Sequence, residues 1–241
     1  MTDDKKVVST GGSHIYQHSQ EKTWEVPQGE ESLKQISNHI ERHLGPVRTV
    51  FHEMISDAVH IDVHLVQATS DFPFSRLVTS GMSDRPMPIP AEAKAPRYTE
   101  LLITLPAAWQ LNMESFKDEN WYWPIRLLKW LARFPHKYET WLGRGHTIPN
   151  GDPPKPYAGN TKLCGAIVLP AATAPRSFST LRVHAEKEVT FYSVVPLYRE
   201  EIDLKLSRGT NALLGLFNKH SIDDIFDPSR RNVAKKRFGL F

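Results

Sequence analysis

FKDENWYWPIRLLKWLARFPHKYETWLGRGHTIP, residues 116–149, decides how the rest of this chain is read. Four of the six tryptophans fall within it, at 121, 123, 130 and 141. At 100° per residue, Trp123, Leu127, Leu128, Trp130, Leu131 and Phe134 share one broad helical arc, with Arg126, Lys129 and Arg133 opposite. Aromatic side chains bury more area than any others, so this arc needs a large cover, most naturally a sheet. Asp118 and Glu119 place negative charge where a helix N-terminus favours it, and Pro135 is expected to stop the helix after Phe134. The stretch specifies a core helix. It announces no reaction.

On its N-terminal side, residues 1–30 are polar and aperiodic, a loose lead-in with Tyr16 and Trp24 docked on the body. Ser32 and Gln35 fit a capping box that opens a helix. Leu33, Ile36, Ile40 and Leu44 recur on one face of it, and Gly45-Pro46 ends it. Residues 47–55 are rich in β-branched and aromatic types. Residues 59–66 alternate, with Val59, Ile61, Val63 and Leu65 on one face and His60, Asp62 and His64 on the other. Turn-forming residues at 56–58 predict a hairpin between these two strands. Residues 74–80 and 98–105 give two more strands, separated by a proline-rich loop at 81–96.

Beyond the central helix comes a second irregular loop, residues 149–162. Strands at 163–169, 179–184 and 189–197 follow, then helices at 197–206 and 211–218 split by Gly209. This order predicts an α+β fold, a mixed and mostly antiparallel sheet packed against helices. The expected division is a lead-in (1–30), one domain (31–227) and a basic C-terminal tail (228–241).

With 40% apolar and 24% charged residues, the chain can bury a substantial core. Its start lacks the apolar run of a signal peptide, and its longest apolar run, residues 163–169, is too short to span a bilayer. No membrane partner is expected. The lone Cys164 excludes an internal disulfide and suits a reducing, cytoplasmic setting. The net charge is +3, but Arg230, Arg231, Lys235, Lys236 and Arg237 contribute five positive charges, and removing them leaves −2. The basic character therefore belongs to the tail, read as solvated. Nucleic acid could be reached only through that tail, since the body offers no second basic face.

The sharpest chemical motif is His60-Ile61-Asp62-Val63-His64. Residues two apart on a strand face one side, so His60, Asp62 and His64, with His52 nearby, could hold a metal for hydrolysis. Positions 60 and 64 stand ~13 Å apart at ~3.3 Å per residue, too far to share an ion easily. A half-exposed polar sheet face, or histidines paired with carboxylates, explains the same pattern. Asp57, Asp84, His146 and Asp152 are isolated polar residues near turns, and Cys164 with His146 is a poor nucleophile pair because the thiol lies in an apolar run. There is no G-x-S-x-G, P-loop, H-E-x-x-H or dinucleotide fingerprint, so no cofactor is expected.

Several ordered blocks resemble the Suppressor of fused domain in its bacterial single-domain form. They are IERHLGPVRTVFHEMISDAVHID (40–62), LVTSGMSDRPM (77–87), YTELLITLP (98–106), WPIRLLKWLARFP and TWLGRGHTIPNGDPP within 121–154, and FYSVVPLYREEIDL (191–204). Together they run from about residue 32 to 233. The resemblance implies a fold like the N-terminal lobe of the animal proteins, which bind a transcription-factor peptide between two lobes by strand pairing. It also implies a role as a non-catalytic binder of a partner protein, with an immunity protein against a cognate toxin as the bacterial expectation. Two departures stand out. The chain is expected to lack a second lobe, and Gly143-Arg144-Gly145-His146 replaces the animal Gly-Asp-His turn. Phe134, Tyr138, Gly145 and His146, with Gly81, Ser83 and Asp84, are the partner-contact surface that carries over.

Overall fold

A computed structural model describes residues 7–15, 30–52 and 60–235. Tyr16, Trp24, Asp57 and the 56–58 turn lie outside the described residues. Two short strands, β1 (Val7–Val8) and β2 (His14–Ile15), pair antiparallel. Their turn docks on the body through Gly11, whose N–H donates to Leu206 O at 2.8 Å. A Cβ at Gly11 would lie 2.3 Å from the Gly209 nitrogen, so only glycine allows this approach.

The main sheet is built from β3 (Val47–Phe51), β4 (Asp62–Val66), β5 (Phe74–Ser80), β6 (Tyr98–Pro106), β7 (Thr147–Pro149), β8 (Gly165–Pro170), β9 (Thr180–His184) and β10 (Lys187–Leu197). Its order is β3-β4-β5-β6-β10-β8-β7, with β9 paired to the first residues of β10. Every pairing is antiparallel except β6 with β10. Four α-helices complete the described residues: α1 (Glu30–Leu44), α2 (Glu119–Lys137), α3 (Arg199–Arg208) and α4 (Thr210–Lys219). The fold is α+β, as the order of segments predicts.

Alternation along the strands sorts the core into layers. Ile61, Val63, Leu65, Leu77, Leu101, Ile103 and Val194 meet Trp123, Leu127, Leu128 and Leu131 of α2. Val66, Val78, Leu102, Val189 and Phe191 meet Ile36 and Ile40 of α1. Farther along, Ile167, Val195 and Leu197 meet Ile202, Leu213 and Phe217 of α3 and α4. Helices therefore cover both faces. For that reason only His60 of the His60–His64 row stays open: Asp62 is 3% and His64 1% exposed, both inside.

The central helix corrects two expectations. It does not stop at Phe134 but runs to Lys137 with Pro124 and Pro135 inside it. A proline leaves the carbonyl four residues back without a donor. Asn120 O, so freed by Pro124, accepts instead from Asn160 Nδ2 at 3.1 Å, while Asn120 Oδ1 accepts from the Asn160 N–H. Trp130 is the second correction. It is 37% exposed, so the apolar arc is not covered along its whole length and Trp130 is left open. The N-terminus behaves as its charges suggest, with the Asp118 side chain accepting from Asn120 N at 2.9 Å.

Ser32 does not cap α1, because that helix already begins at Glu30; its Oγ accepts from Lys187 Nζ at 2.8 Å. The start of the 228–241 segment is also misread as a solvated tail. Arg230 is buried and forks onto Glu201 at 2.6 and 2.7 Å, with a further bond to Pro196 O. Val233 is buried beside it, and its N–H donates to Glu201 Oε1. A planar guanidinium matched to a carboxylate satisfies both charges, which is why this pair tolerates burial. Arg230 is not available to phosphate.

Candidate functional site

The C-terminal end of α2 gathers most of the surface that the sequence singles out. Trp130, Phe134 and Tyr138 are four residues apart, so they stack along one side of the helix. The Trp130 and Phe134 ring centres are 5.2 Å apart, and those of Phe134 and Tyr138 are 5.0 Å apart. Phe134 and Tyr138 are half-buried, and Trp130 is the most open of the three. On the inner side, His136 Nε2 donates to Met82 O at 2.8 Å, tying the helix to a 3-10 turn at Met82–Asp84. Burial lowers the His136 pKa, favouring the neutral imidazole, with the Met82 carbonyl opposing.

That turn exists because of Gly81. Its φ is +104°, and a Cβ there would lie 2.0 Å from His60 O. Beneath it sits Glu100, fully buried. The carboxylate accepts from Thr79 Oγ1 at 2.6 Å, Ser83 Oγ at 2.7 Å and Ser83 N at 2.9 Å. Burial raises its pKa to about 7, against the pull of those three bonds. Burial likewise raises Asp84 to about 6, with Lys187 and His60 opposing.

Seen from these contacts, the expected partner-contact residues separate. Gly81 and Ser83 are buried and cannot present themselves to a partner; they shape the turn and hold Glu100. Asp84 is half-open. Gly145 is buried too, with φ +83° and a would-be Cβ 3.3 Å from Thr210 Cγ2. His146 is half-buried against Trp141, with ring centres 5.3 Å apart. Burial, then the Lys205 ammonium, depresses its pKa. The 141–146 turn adjoins the proline-rich loop, as Leu142 N points at Met87 S at 3.4 Å and Gly143 lies near Ala95. Phe134, Tyr138, His146 and Asp84 thus remain as accessible members, joined by Trp130, which periodicity had assigned to the core.

The proposed metal set also rearranges. His64 Nε2 pairs with Ser80 Oγ at 2.8 Å, and burial lowers its pKa to about 4. It turns away from any shared ion. His60 and His52 instead approach Asp62. Cys164 is buried and burial raises its pKa; Arg199, Glu200, Asp203 and Glu201 act on it electrostatically, and His146 does not figure among them. Asp152 is exposed in the second loop.

The sequence pattern of the family described as Suppressor of fused protein (SUFU) matches residues 57–231. The chain belongs to this family. Solved SUFU structures share its architecture. A SUFU homolog from Neisseria gonorrhoeae FA 1090 superposes with a TM-score of 0.66 at 14% identity, covering 86% of this chain and all of the other. Sufu in the Sufu-Fu complex gives 0.58 at 15% identity, covering 84% and 92%. Drosophila Suppressor of Fused gives 0.57 at 16%, covering 84% of this chain and 51% of that one. No curated protein matches the sequence. At such identities the likeness establishes the SUFU-like fold. Sufu in one of these structures is bound to a partner protein, Fu. Among the described residues no helix is long and apolar enough to cross a membrane.

Proposed function

We propose that this chain is a non-catalytic protein-binding domain that sequesters or neutralises a partner protein, and that the partner rests on the outer side of α2. The observation that carries this reading is Trp130. A tryptophan left 37% exposed beside two further aromatic rings forms an anchor of the kind that dominates protein interfaces. The rigid turn at 81–84, with Asp84 half-open, and His146 on the 141–146 turn flank the aromatic row. SUFU family membership and the Sufu-Fu complex support binding as the mode of action. An immunity role, in which the partner is a toxin, is the specific form suited to a bacterial member.

Affinity capture from the native cells, followed by mass spectrometry, tests the proposal. One specific protein should be retained, and co-expression should suppress that protein's harmful activity if it is a toxin. Retention of no specific protein by the full chain would remove the reading.

A further inference from the structure

Asp62 opens β4 with a carboxylate that is 3% exposed, yet its Oδ1 receives no well-aligned hydrogen bond. Two imidazole nitrogens nevertheless converge on that one oxygen. His60 Nε2 is 2.9 Å away, and His52 Nδ1, one residue past β3, is 3.1 Å away. The three atoms lie within 4.8 Å of one another. A tetrahedral ion bonded at ~2.0–2.1 Å spaces its ligand atoms ~3.3 Å apart. Both spacings to the Asp62 oxygen are near that edge length, so an ion could enter with side-chain adjustment.

We propose that His52, His60 and Asp62 form a binding site for a zinc-like divalent cation, which fastens the end of β3 to the start of β4. Two imidazole nitrogens and one carboxylate oxygen are a donor set suited to zinc. The imidazoles are 65% and 44% exposed, leaving the remaining position open to water or to a donor from outside. The ion would give the Asp62 oxygen a direct bond where it now has only misaligned imidazole contacts. It would also bridge the two ends of the 53–59 connection, so the role is structural. Neighbouring charges are mixed. Lys129 on α2 acts on Asp62, Asp84 acts on His60, and His64, itself influenced by Glu41, lies along the same strand. The site is independent of the aromatic row, so either proposal can fail alone.

Zinc titration into tag-free, chelator-treated full-length protein, followed by calorimetry, tests the site, with cobalt absorption as a second readout. One zinc per chain is expected, together with the visible bands of tetrahedral cobalt. His52→Ala, His60→Ala and Asp62→Asn should each weaken zinc binding at least ~10-fold. His184→Ala, at an exposed position on β9, should bind like the parent. If the parent takes up no stoichiometric zinc, the site is refuted. Unchanged zinc affinity in both His52→Ala and His60→Ala refutes it equally, and these exposed positions keep the test decisive should Asp62→Asn fold poorly.

Discussion

Trp123 and Trp130 sit two turns apart on one helix and do opposite things. Trp123 is completely buried, stacked on Tyr157 at 5.1 Å with an interplanar angle of 4°, and met edge-on by Trp109 and Phe226. Trp130 touches Phe134 and is otherwise open enough to meet a partner. The seven-residue separation turns the helix by about 700°, leaving the two rings about 20° apart by rotation alone. Rotation therefore does not distinguish them. What does is the cover: the loop carrying Tyr157, the turn after β6 that carries Trp109 and the segment after α4 that carries Phe226 close over the first half of α2. Holding the fold and meeting another molecule are thus divided along the helix more than around it.

The largest effect should come from the buried member. Trp123→Ala removes a ring packed on three others and should cost ~3–5 kcal/mol in chemical denaturation. A cost below ~1 kcal/mol would mean that the two tryptophans do not differ as described.

Next comes the turn beside the aromatic row. Gly81→Ala would force a side chain into the left-handed region and against His60 O, and should cost ~1–3 kcal/mol or more. Thermal melting of the variant would show whether the turn is as tightly fixed as the helix end it supports.

A smaller, pH-dependent effect should arise at Glu100. Its pKa rises on folding to about 7, so the folded chain holds this proton more firmly than the unfolded chain does. Its stabilising contribution is complete below the ordinary value of 4.5 and is lost as pH climbs through about 7. Asp84, raised to about 6 by burial, adds to the same slope. Glu100→Gln should therefore flatten, without abolishing, the fall in urea midpoint over that window. An unchanged slope would show that Glu100 is not the buried acid responsible.

Much of this molecule can be read from periodicity. The strands 74–80 and 98–105, the helix around residues 33–44 and the apolar side of α2 follow directly from their patterns, because each pattern reflects local geometry. What escapes is set by distant residues. Pro124 is tolerated within α2 because Asn160, from a loop forty positions on, bonds the freed carbonyl. His64 looks solvent-facing in an alternating strand, yet α1 covers that side of the sheet as well. Arg230 looks like one more tail charge until Glu201 meets it. At the site, the aromatic residues of α2 are legible, but the sequence gives no sign that Gly81 and Ser83 lie beneath the surface or that Trp130 lies upon it. The pairing of His52 and His60 around Asp62 depends on strand register, which no local pattern contains.

The most direct test compares Trp130→Ala with the parent for binding to the captured partner, alongside thermal stability. Stability should change by less than ~1 kcal/mol while partner affinity falls by at least ~2 kcal/mol, about thirtyfold. Unaltered affinity in a well-folded variant would contradict the placement of the partner on the outer side of α2.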